Sequence, residues 1–227
     1  MKTFQKLLIL ALAISLSAVN LASAADSDLG PTLKAPTTAA AKPSAEGFIQ
    51  RWILLDPIDV NGLTDSAVQA QVKAKYFDGQ FSIVPHDGET VVINGNNHVW
   101  HAVETKEYNF NLYHLARALG KHTSNVLFWG VAVVDSPEEM TGVRLAIGSN
   151  AASVWWLNDQ EVIGIYGDRQ TVIDDGVSKR LTLKKGQNII RCAVVNGGGA
   201  TDFCARFLDA NEKPIKNLTI SAGSAAK

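Results

Sequence analysis

The amino-acid sequence predicts an all-β fold, an antiparallel sandwich or barrel with one or two short peripheral helices. From position 125 onward, short apolar or alternating segments recur at regular spacing and are separated by turn residues. In the segment 141–147, for example, Val143, Leu145 and Ile147 share one side of an extended chain. Helical segments are missing between most of these strands, which disfavours a parallel α/β fold.

The predicted strands end at residues that interrupt a β-ladder. The segment 48–55 is followed by Asp56-Pro57, and proline cannot donate a ladder hydrogen bond. The residues Asn158-Asp159-Gln160 separate two apolar segments and predict a tight hairpin turn. The predicted strands are 48–55, 91–93, 98–103, 126–134, 141–147, 153–157, 161–165, 179–183, 188–195 and 203–208.

Two short helices are predicted outside this set. Asp65 and Ser66 are of the residue types that cap a helix, and Val68 and Val72 follow at helical spacing. The segment 109–119 has apolar residues at intervals of three and four, and Gly120 stands where a helix stop is expected.

The first 24 residues are predicted to be a secretory signal peptide. A start with two lysines precedes an apolar run over 7–19, and Ala22-Ser23-Ala24 supplies the small-residue cleavage pattern. An uncleaved anchor helix is the alternative, although a membrane span needs about 20 apolar residues. The mature part is therefore expected to be secreted or periplasmic, with no membrane span.

The remaining chain is predicted to hold one domain. Residues 25–46 are rich in Ala, Pro, Thr, Ser and Lys and predict a flexible spacer, while 222–227 predict a disordered tail. The β-sandwich domain is expected over 47–221. The net charge is −1, from 21 basic and 22 acidic residues without a Lys/Arg block, so nothing supports nucleic-acid binding.

Cys192 and Cys204 are the two cysteines of the chain. They flank a turn-rich segment that predicts a hairpin, and a pairing centred on Gly198 places them opposite each other. A cross-strand disulfide is therefore predicted in the oxidising compartment that a signal peptide implies. Two buried free thiols are the alternative, because a register slip of one residue separates the sulfurs.

Six motifs of the chain also follow a known order. They are FIQRWILLDP (48–57), FWGVAVV (128–134), LAIGSN (145–150), VWWLN (154–158), LKKGQN (183–188) and FCARFLD (203–209). This order resembles the galactose-binding-domain-like jelly rolls, carbohydrate-binding-module-like domains found with bacterial glycoside hydrolases and carbohydrate esterases. The resemblance covers most of residues 47–220 and implies a jelly roll of two antiparallel sheets in a sugar-polymer setting. Such modules are mostly accessory rather than catalytic. Asp159 departs from the pattern, which has a turn glycine there.

Trp100, Trp156, Arg169 and Asp174 are the candidate ligand-binding residues. Aromatic rings can stack on the apolar faces of sugars, while charged groups bind the hydroxyls at a loop edge. Trp156 follows Trp155 in a strand, so the two side chains point to opposite faces and one of them is expected in the core. Core packing is the alternative for any single tryptophan, and a surface ion pair is the alternative for the loop residues.

Metal binding and catalysis have less to support them. Asp174-Asp175-Gly176 offers oxygen ligands for a structural calcium ion but lacks the ordered acid spacing of an EF-hand loop. His98 and His101 would face opposite sides of a strand, which argues against a metal pair. The sequence has no G-x-S-x-G or H-E-x-x-H motif, so no catalytic residue and no cofactor is predicted. A glycosidase would need two carboxylates facing each other across a cleft, which sequence does not show.

Three hypotheses about function follow. The first is a secreted, non-catalytic, carbohydrate-binding-like accessory module with a glycan as its partner. The alternative is a structural or protein-interaction β-sandwich of the cell envelope, without a sugar ligand and with another envelope protein as its partner. The third is a carbohydrate-active hydrolase or esterase.

Overall fold

The computed structural model describes residues 29–60 and 65–221. The predicted signal peptide over 1–24 and the predicted tail over 222–227 lie outside the described residues. Neither helix in the described part of the chain is long and apolar enough to cross a bilayer.

The protein is mostly β, with two short helices and two antiparallel sheets, which confirms the predicted fold class. The elements in chain order are β1 (Leu33–Lys34), β2 (Ala40–Ala41), β3 (Arg51–Leu55), β4 (Ile58–Asp59), α1 (Asp65–Lys73), β5 (Thr90–Ile93), β6 (Asn96–Thr105), β7 (Phe110–Asn111), α2 (Leu112–Ala118), β8 (Val126–Ser136), β9 (Met140–Asn150), β10 (Ser153–Leu157), β11 (Gln160–Ile165), β12 (Gly176–Val177), β13 (Leu181–Leu183), β14 (Gly186–Asn196), β15 (Asp202–Leu208) and β16 (Thr219–Ser221). Every predicted strand overlaps one of these, and both predicted helices are present.

The larger sheet, sheet A, has the strand order β1-β6-β3-β8-β14-β10-β11. Beside this path, β5 pairs with β6, β4 and β16 pair with β8, and β2 pairs with β16. The smaller sheet, sheet B, has the order β12-β9-β15-β7, and β13 also pairs with β9. Six short strands of two or three residues (β1, β2, β4, β7, β12 and β16) were not predicted, because so few residues show no alternation.

The first core lies between the two sheets. Trp52 and Trp155 come from sheet A and Phe203 comes from sheet B, and all three are fully or almost fully buried. The Trp52 ring lies 5.9 Å from that of Trp155 and 4.9 Å from that of Phe203, in edge-to-face contacts. Val143 and Leu145 also face this core, as the alternation of their segment predicts.

The second core covers the opposite face of sheet A. Helix α1, the segment 74–89 and the β5–β6 hairpin lie over this face and bury a separate apolar cluster. Trp129 is at its centre, with its ring 6.5 Å from Phe77, 5.6 Å from Phe81 and 5.2 Å from Trp156. Sheet A is therefore buried on both faces, which explains why β8 is a near-continuous apolar run instead of an alternating one.

The segment 29–46 belongs to the fold, which contradicts the predicted flexible spacer. Leu33 is buried and pairs with Thr105 of sheet A. Arg51 donates from Nη1 to the Thr38 carbonyl at 2.9 Å, and Ala41 pairs with Ile220. Composition misled here because backbone pairing with existing strands holds the segment, and such pairing needs few large apolar residues.

Helix α2 lies within the predicted segment 109–119. Asn111 caps it by accepting a hydrogen bond from the His114 amide at 2.8 Å. Leu112 and Leu115 are fully buried, and Gly120 takes a positive φ of 64° just after the helix, as the predicted stop requires.

Cys192 and Cys204 are free and buried, so the predicted disulfide is wrong. Strands β14 and β15 do not form a hairpin, because β14 pairs with β8 and β10 in sheet A while β15 pairs with β9 in sheet B. The glycine-rich segment 197–199 therefore crosses between sheets. Cys192 faces the first core, whereas Cys204 alternates with core-facing Phe203 and Ala205 and points to the outer side of sheet B. The alternative of two buried thiols describes the structure.

Candidate functional site

Trp100 and Trp156, two of the predicted ligand-binding residues, are both buried in the second core. Trp100 is 0% exposed and Trp156 is 6% exposed. The ring of Phe77 lies 6.1 Å from that of Trp100, and the ring of Phe81 lies 5.4 Å from that of Trp156. Since the segment 74–89 covers both indoles, no sugar can stack on them, and core packing describes their role.

Arg169 and Asp174, the other two predicted residues, lie in the β11–β12 loop. Arg169 pairs with Asp175, and Asp174 pairs with Arg206 of sheet B, with Arg206 Nε 2.9 Å from its carboxylate. The loop runs over the outer side of sheet B, whereas the two tryptophans belong to the outer side of sheet A. The structure therefore does not bring the four predicted residues together.

The same two ion pairs bear on the calcium hypothesis. The carboxylates of Asp174 and Asp175 both face arginine guanidinium groups, which compete with a cation for them. Across the described ranges, no group of three or more His, Cys, Asp or Glu side chains is placed to hold a metal ion.

A pocket of about 240 Å³ opens where β9 turns into β10. We call it the amide pocket. Its polar side chains are Asn150, Tyr166, Asp168 and Asn196, and its floor includes the apolar Ala152. Three connections meet here, namely the β9–β10 turn, the β11–β12 loop and the β14–β15 crossing.

The two asparagines of the amide pocket end long strands and fix the loops around it. In the orientation of the Asn150 amide that satisfies its hydrogen bonds, its nitrogen donates to the carbonyl oxygens of Arg169 and Ala200, at 3.1 and 3.2 Å. The Asn196 side chain is buried, donates to the Thr123 carbonyl at 2.5 Å and accepts from the Gly198 amide at 3.0 Å. These bonds hold the backbone of the β14–β15 crossing at the pocket wall.

The Tyr166 ring forms another wall, and a glycine determines where it lies. A Cβ atom at Gly164 would stand 2.4 Å from the Tyr166 hydroxyl oxygen, so a side chain there would displace the ring. On the helix side, Lys73 Nζ lies 5.5 Å from the Tyr166 ring centroid and 2.8 Å from the Glu161 carboxylate. The ring is thus held between the β11 backbone and α1.

Asp168 alone is charged among the described residues that line the amide pocket. Its exposed carboxylate supplies acceptor oxygens for the hydroxyl groups of a ligand. Polar side chains, one of them a carboxylate, border a small space beside the apolar Ala152, which suits a compact ligand that carries several hydroxyl groups. The sequence predicts that Arg169 lies in a loop and Gly198 in a turn, but nothing in it indicates that these two segments meet.

A second polar cluster joins the end of β3 to α2. The buried Asp56 carboxylate lies 3.1 Å from the Val99 amide nitrogen, 2.9 Å from His101 Nε2 and 3.0 Å from Lys121 Nζ. Burial opposes ionisation of Asp56, but hydrogen bonds from these three partners outweigh it and lower its pKa to about 2. The His101 ring is thus engaged by the Asp56 carboxylate, which also links β6 to Lys121 just after α2.

Comparison with known proteins gives distant structural likenesses. No protein-family model matches the sequence, and no curated protein matches it significantly. The fold is similar to the PA14 sugar-binding domain from an RTX adhesin, with 10% identity, a TM-score of 0.46, and coverage of 79% of this chain and 100% of that chain. It is similar to the PA14 domain of the MpAFP antifreeze protein, with 12% identity, a TM-score of 0.44, and coverage of 74% and 89%. It is also similar to a β-glucosidase from Kluyveromyces marxianus in complex with glucose, with 18% identity, a TM-score of 0.40, and coverage of 61% and 20%.

Proposed function

We propose that this protein is a secreted, non-catalytic, glycan-binding accessory module that holds one sugar ring in the amide pocket. The observation that carries the proposal is the convergence of Asn150, Tyr166, Asp168 and Asn196 from three connections on one small pocket. The Asp168 carboxylate supplies acceptors for sugar hydroxyl groups, while the amide N–H groups of Asn150 and Asn196 hold the loops that shape the pocket.

The size of the amide pocket limits the ligand. Its volume of about 240 Å³ lies below the range of roughly 300–1,000 Å³ that pockets for drug-sized ligands occupy. A single terminal ring or a short branch therefore suits it better than an internal stretch of a polysaccharide.

Two features of the sequence support a secreted location and an accessory role. The predicted signal peptide directs the chain to a secreted or periplasmic location, where glycans are available. The resemblance of six motifs to jelly rolls that accompany carbohydrate-active enzymes supports an accessory role.

The experiment is a titration of the mature protein with a panel of monosaccharides and their methyl glycosides, followed by amide chemical shifts. We expect saturable shifts at Asn150, Tyr166, Gly167 and Asn196. Replacing Asp168 with alanine should weaken binding at least tenfold, because a hydrogen bond to a charged group contributes about 1.5–3 kcal/mol. The Gly164→Ala variant should weaken binding through displacement of Tyr166.

The matched control is Asp78→Ala, which removes an exposed carboxylate on the segment that covers sheet A. It should leave both binding and the unfolding temperature unchanged. Absence of saturable shifts across the panel, or full affinity in Asp168→Ala, would exclude the amide pocket as a sugar site. Turnover of chromogenic glycosides or esters by the purified protein would contradict the non-catalytic part.

The outer side of sheet B supports a second candidate, an interaction with another envelope protein. Four large apolar side chains are exposed there, namely Tyr108 (43%), Val172 (56%), Ile173 (44%) and Val177 (38%). Exposed apolar side chains that share a face are typical of interaction surfaces. A photo-cross-linking residue placed at Val177 tests this in cells. A discrete cross-linked species that a cross-linker at Lys185 does not produce would favour it, and equal patterns would exclude it.

A further inference from the structure

A second cavity opens at the opposite end of the sandwich from the amide pocket. Strand β10 starts at Ser153 beside the amide pocket and reaches Leu157 at this second cavity, which has a volume of about 450 Å³. The cavity lies between the β10–β11 hairpin of sheet A and strand β13 of sheet B. We call it the basic groove.

The floor of the basic groove is aliphatic. Leu157, Val162 and Leu181 line it, and all three pack against the first core. The amide side chains of Asn158 and Gln160 stand at its rim. The Asn158 side chain is fixed, because it donates to Asn188 at 3.0 Å and accepts from the Ile189 amide at 2.9 Å.

The charges that line the groove are both positive. Arg180 and Lys184 line it, and no acidic residue is among its described lining. Lys179 precedes Arg180 in the sequence, Lys185 follows Lys184, and both lysines are exposed. Four cations therefore fall within the seven positions 179–185. Cations clustered at a concave site attract an anion over several ångströms before contact.

Arg180 is held in place before any ligand arrives. Its Nη1 donates to the carbonyl of Gly142 at 2.8 Å, and its Nη2 lies 3.0 Å from the Glu212 carboxylate. Glu212 is itself shared with Arg144, whose Nε lies 3.6 Å away. The single carboxylate of Glu212 therefore compensates only one of the two positive charges of Arg144 and Arg180. Lys184 makes no ion pair within the described residues.

We propose that the basic groove binds an acidic sugar of the uronate class, with the carboxylate beside Lys184 and Arg180 and one face of the ring on the aliphatic floor. The amides of Asn158 and Gln160 stand where they can bind ring hydroxyls. The groove has nearly twice the volume of the amide pocket, so it has room for more than one ring. This inference does not rest on sugar binding in the amide pocket.

The test is an amide-shift titration of the mature protein with digalacturonate, compared with its fully methyl-esterified form. The acid should give saturable shifts in the segments 157–162 and 181–184, and the ester should bind about two- to five-fold more weakly because it lacks the charge. Raising the salt concentration from about 0.02 to 0.5 M should weaken the acid but not the ester, since screening acts on exposed charges. Equal binding of acid and ester, or no shift in these segments, would overturn the proposal.

Two neighbouring lysines provide the matched variants. Lys184→Gln should weaken digalacturonate binding roughly five-fold. Lys185 is also exposed but lies outside the groove lining, so Lys185→Gln should change binding less than about two-fold. Asp168→Ala should leave digalacturonate binding unchanged, which separates this site from the amide pocket. Inorganic sulfate that binds as tightly as the uronate would show a general anion site and overturn the assignment to a sugar.

Discussion

Sheet A and sheet B differ in what covers their outer faces. The outer face of sheet A carries Trp129 and Trp156, and the segment 74–89 covers both with aromatic rings. The outer face of sheet B carries Arg206 in register with Ala146, which is in register with Val177 at the edge. Only a loop crosses this second face, so part of it stays exposed.

The covering layer limits where a ligand can bind. Large aromatic residues on the covered sheet stabilise a second core, and they are lost as sugar platforms. On the open sheet, Arg206 lies 4.8 Å from the Phe48 ring and pairs with Asp174, so polar and aromatic groups mix at the surface. The amide pocket and the basic groove lie at opposite ends of the sandwich, and loop residues line both.

Removal of an aromatic residue from the covering layer should have the largest effect on stability. Phe77→Ala should lower the free energy of unfolding by about 3 kcal/mol, because it opens a cavity above Trp100 and Trp129. Urea denaturation measures this, with Phe203→Ala in the first core as the matched variant. A loss below about 1 kcal/mol for Phe77 beside a full loss for Phe203 would show that sheet A has one core and not two.

The buried carboxylate at the end of β3 gives a smaller, pH-dependent effect. The pKa of Asp56 is about 2 in the folded protein and 3.8 ordinarily. Between these two pH values, Asp56 is mostly protonated in the unfolded chain and mostly ionised in the folded protein. Its contribution of about 2 kcal/mol is present above pH 4 to 5 and is lost as the pH falls toward 2. Urea denaturation between pH 2 and 5 should show this slope, and Asp56→Asn should flatten it. An unchanged slope in Asp56→Asn would contradict the assignment.

The two thiols compare the sheets directly. Burial raises the pKa of both, that of Cys204 to about 12, so neither should react with a thiol reagent at pH 8 in the folded protein. In mild urea, Cys204 in a Cys192→Ala variant should react about tenfold faster than Cys192 in a Cys204→Ala variant. The physical reason is that a single loop covers Cys204, whereas Cys192 lies between the sheets. Equal rates would mean that both faces open together.

The smallest effect is expected on the open face of sheet B. Val177→Thr should change the free energy of unfolding by less than about 0.5 kcal/mol, because the side chain is already in contact with water. The matched Val131→Thr on the covered face of sheet A should cost more than about 1 kcal/mol, since it buries a hydroxyl in the second core. Urea denaturation of the pair measures the contrast, and similar losses would contradict the assignment of the two faces.

Much of the local structure was predictable from the sequence. Asn158 and Asp159 form the predicted tight turn with φ of 47° and 71°, both in the left-handed region that this turn needs. Asp159 takes the place of a turn glycine and is held there by Arg191 Nη1 at 2.6 Å from its carboxylate. The Asn111 cap and the Gly120 stop of α2 are equally local, which is why the helix was predicted within a few residues.

The candidate site was not predictable in the same way. Trp156 was correctly placed on the face opposite Trp155, but alternation does not tell whether a second layer covers that face. Asn150 and Asn196 end strands with no motif around them, so their meeting at the amide pocket has no signature in sequence spacing.

The sequence predicts which segments are strands, where they turn, and which side chains share a face, because period-two alternation and turn residues act between near neighbours. The folded structure is needed to see that β14 pairs with β8 instead of β15, that Cys192 and Cys204 lie on different sheets, and that the segment 29–46 joins the fold. The physical reason is that strand pairing and layer stacking are contacts between residues far apart in the chain, and many pairings satisfy the same alternation.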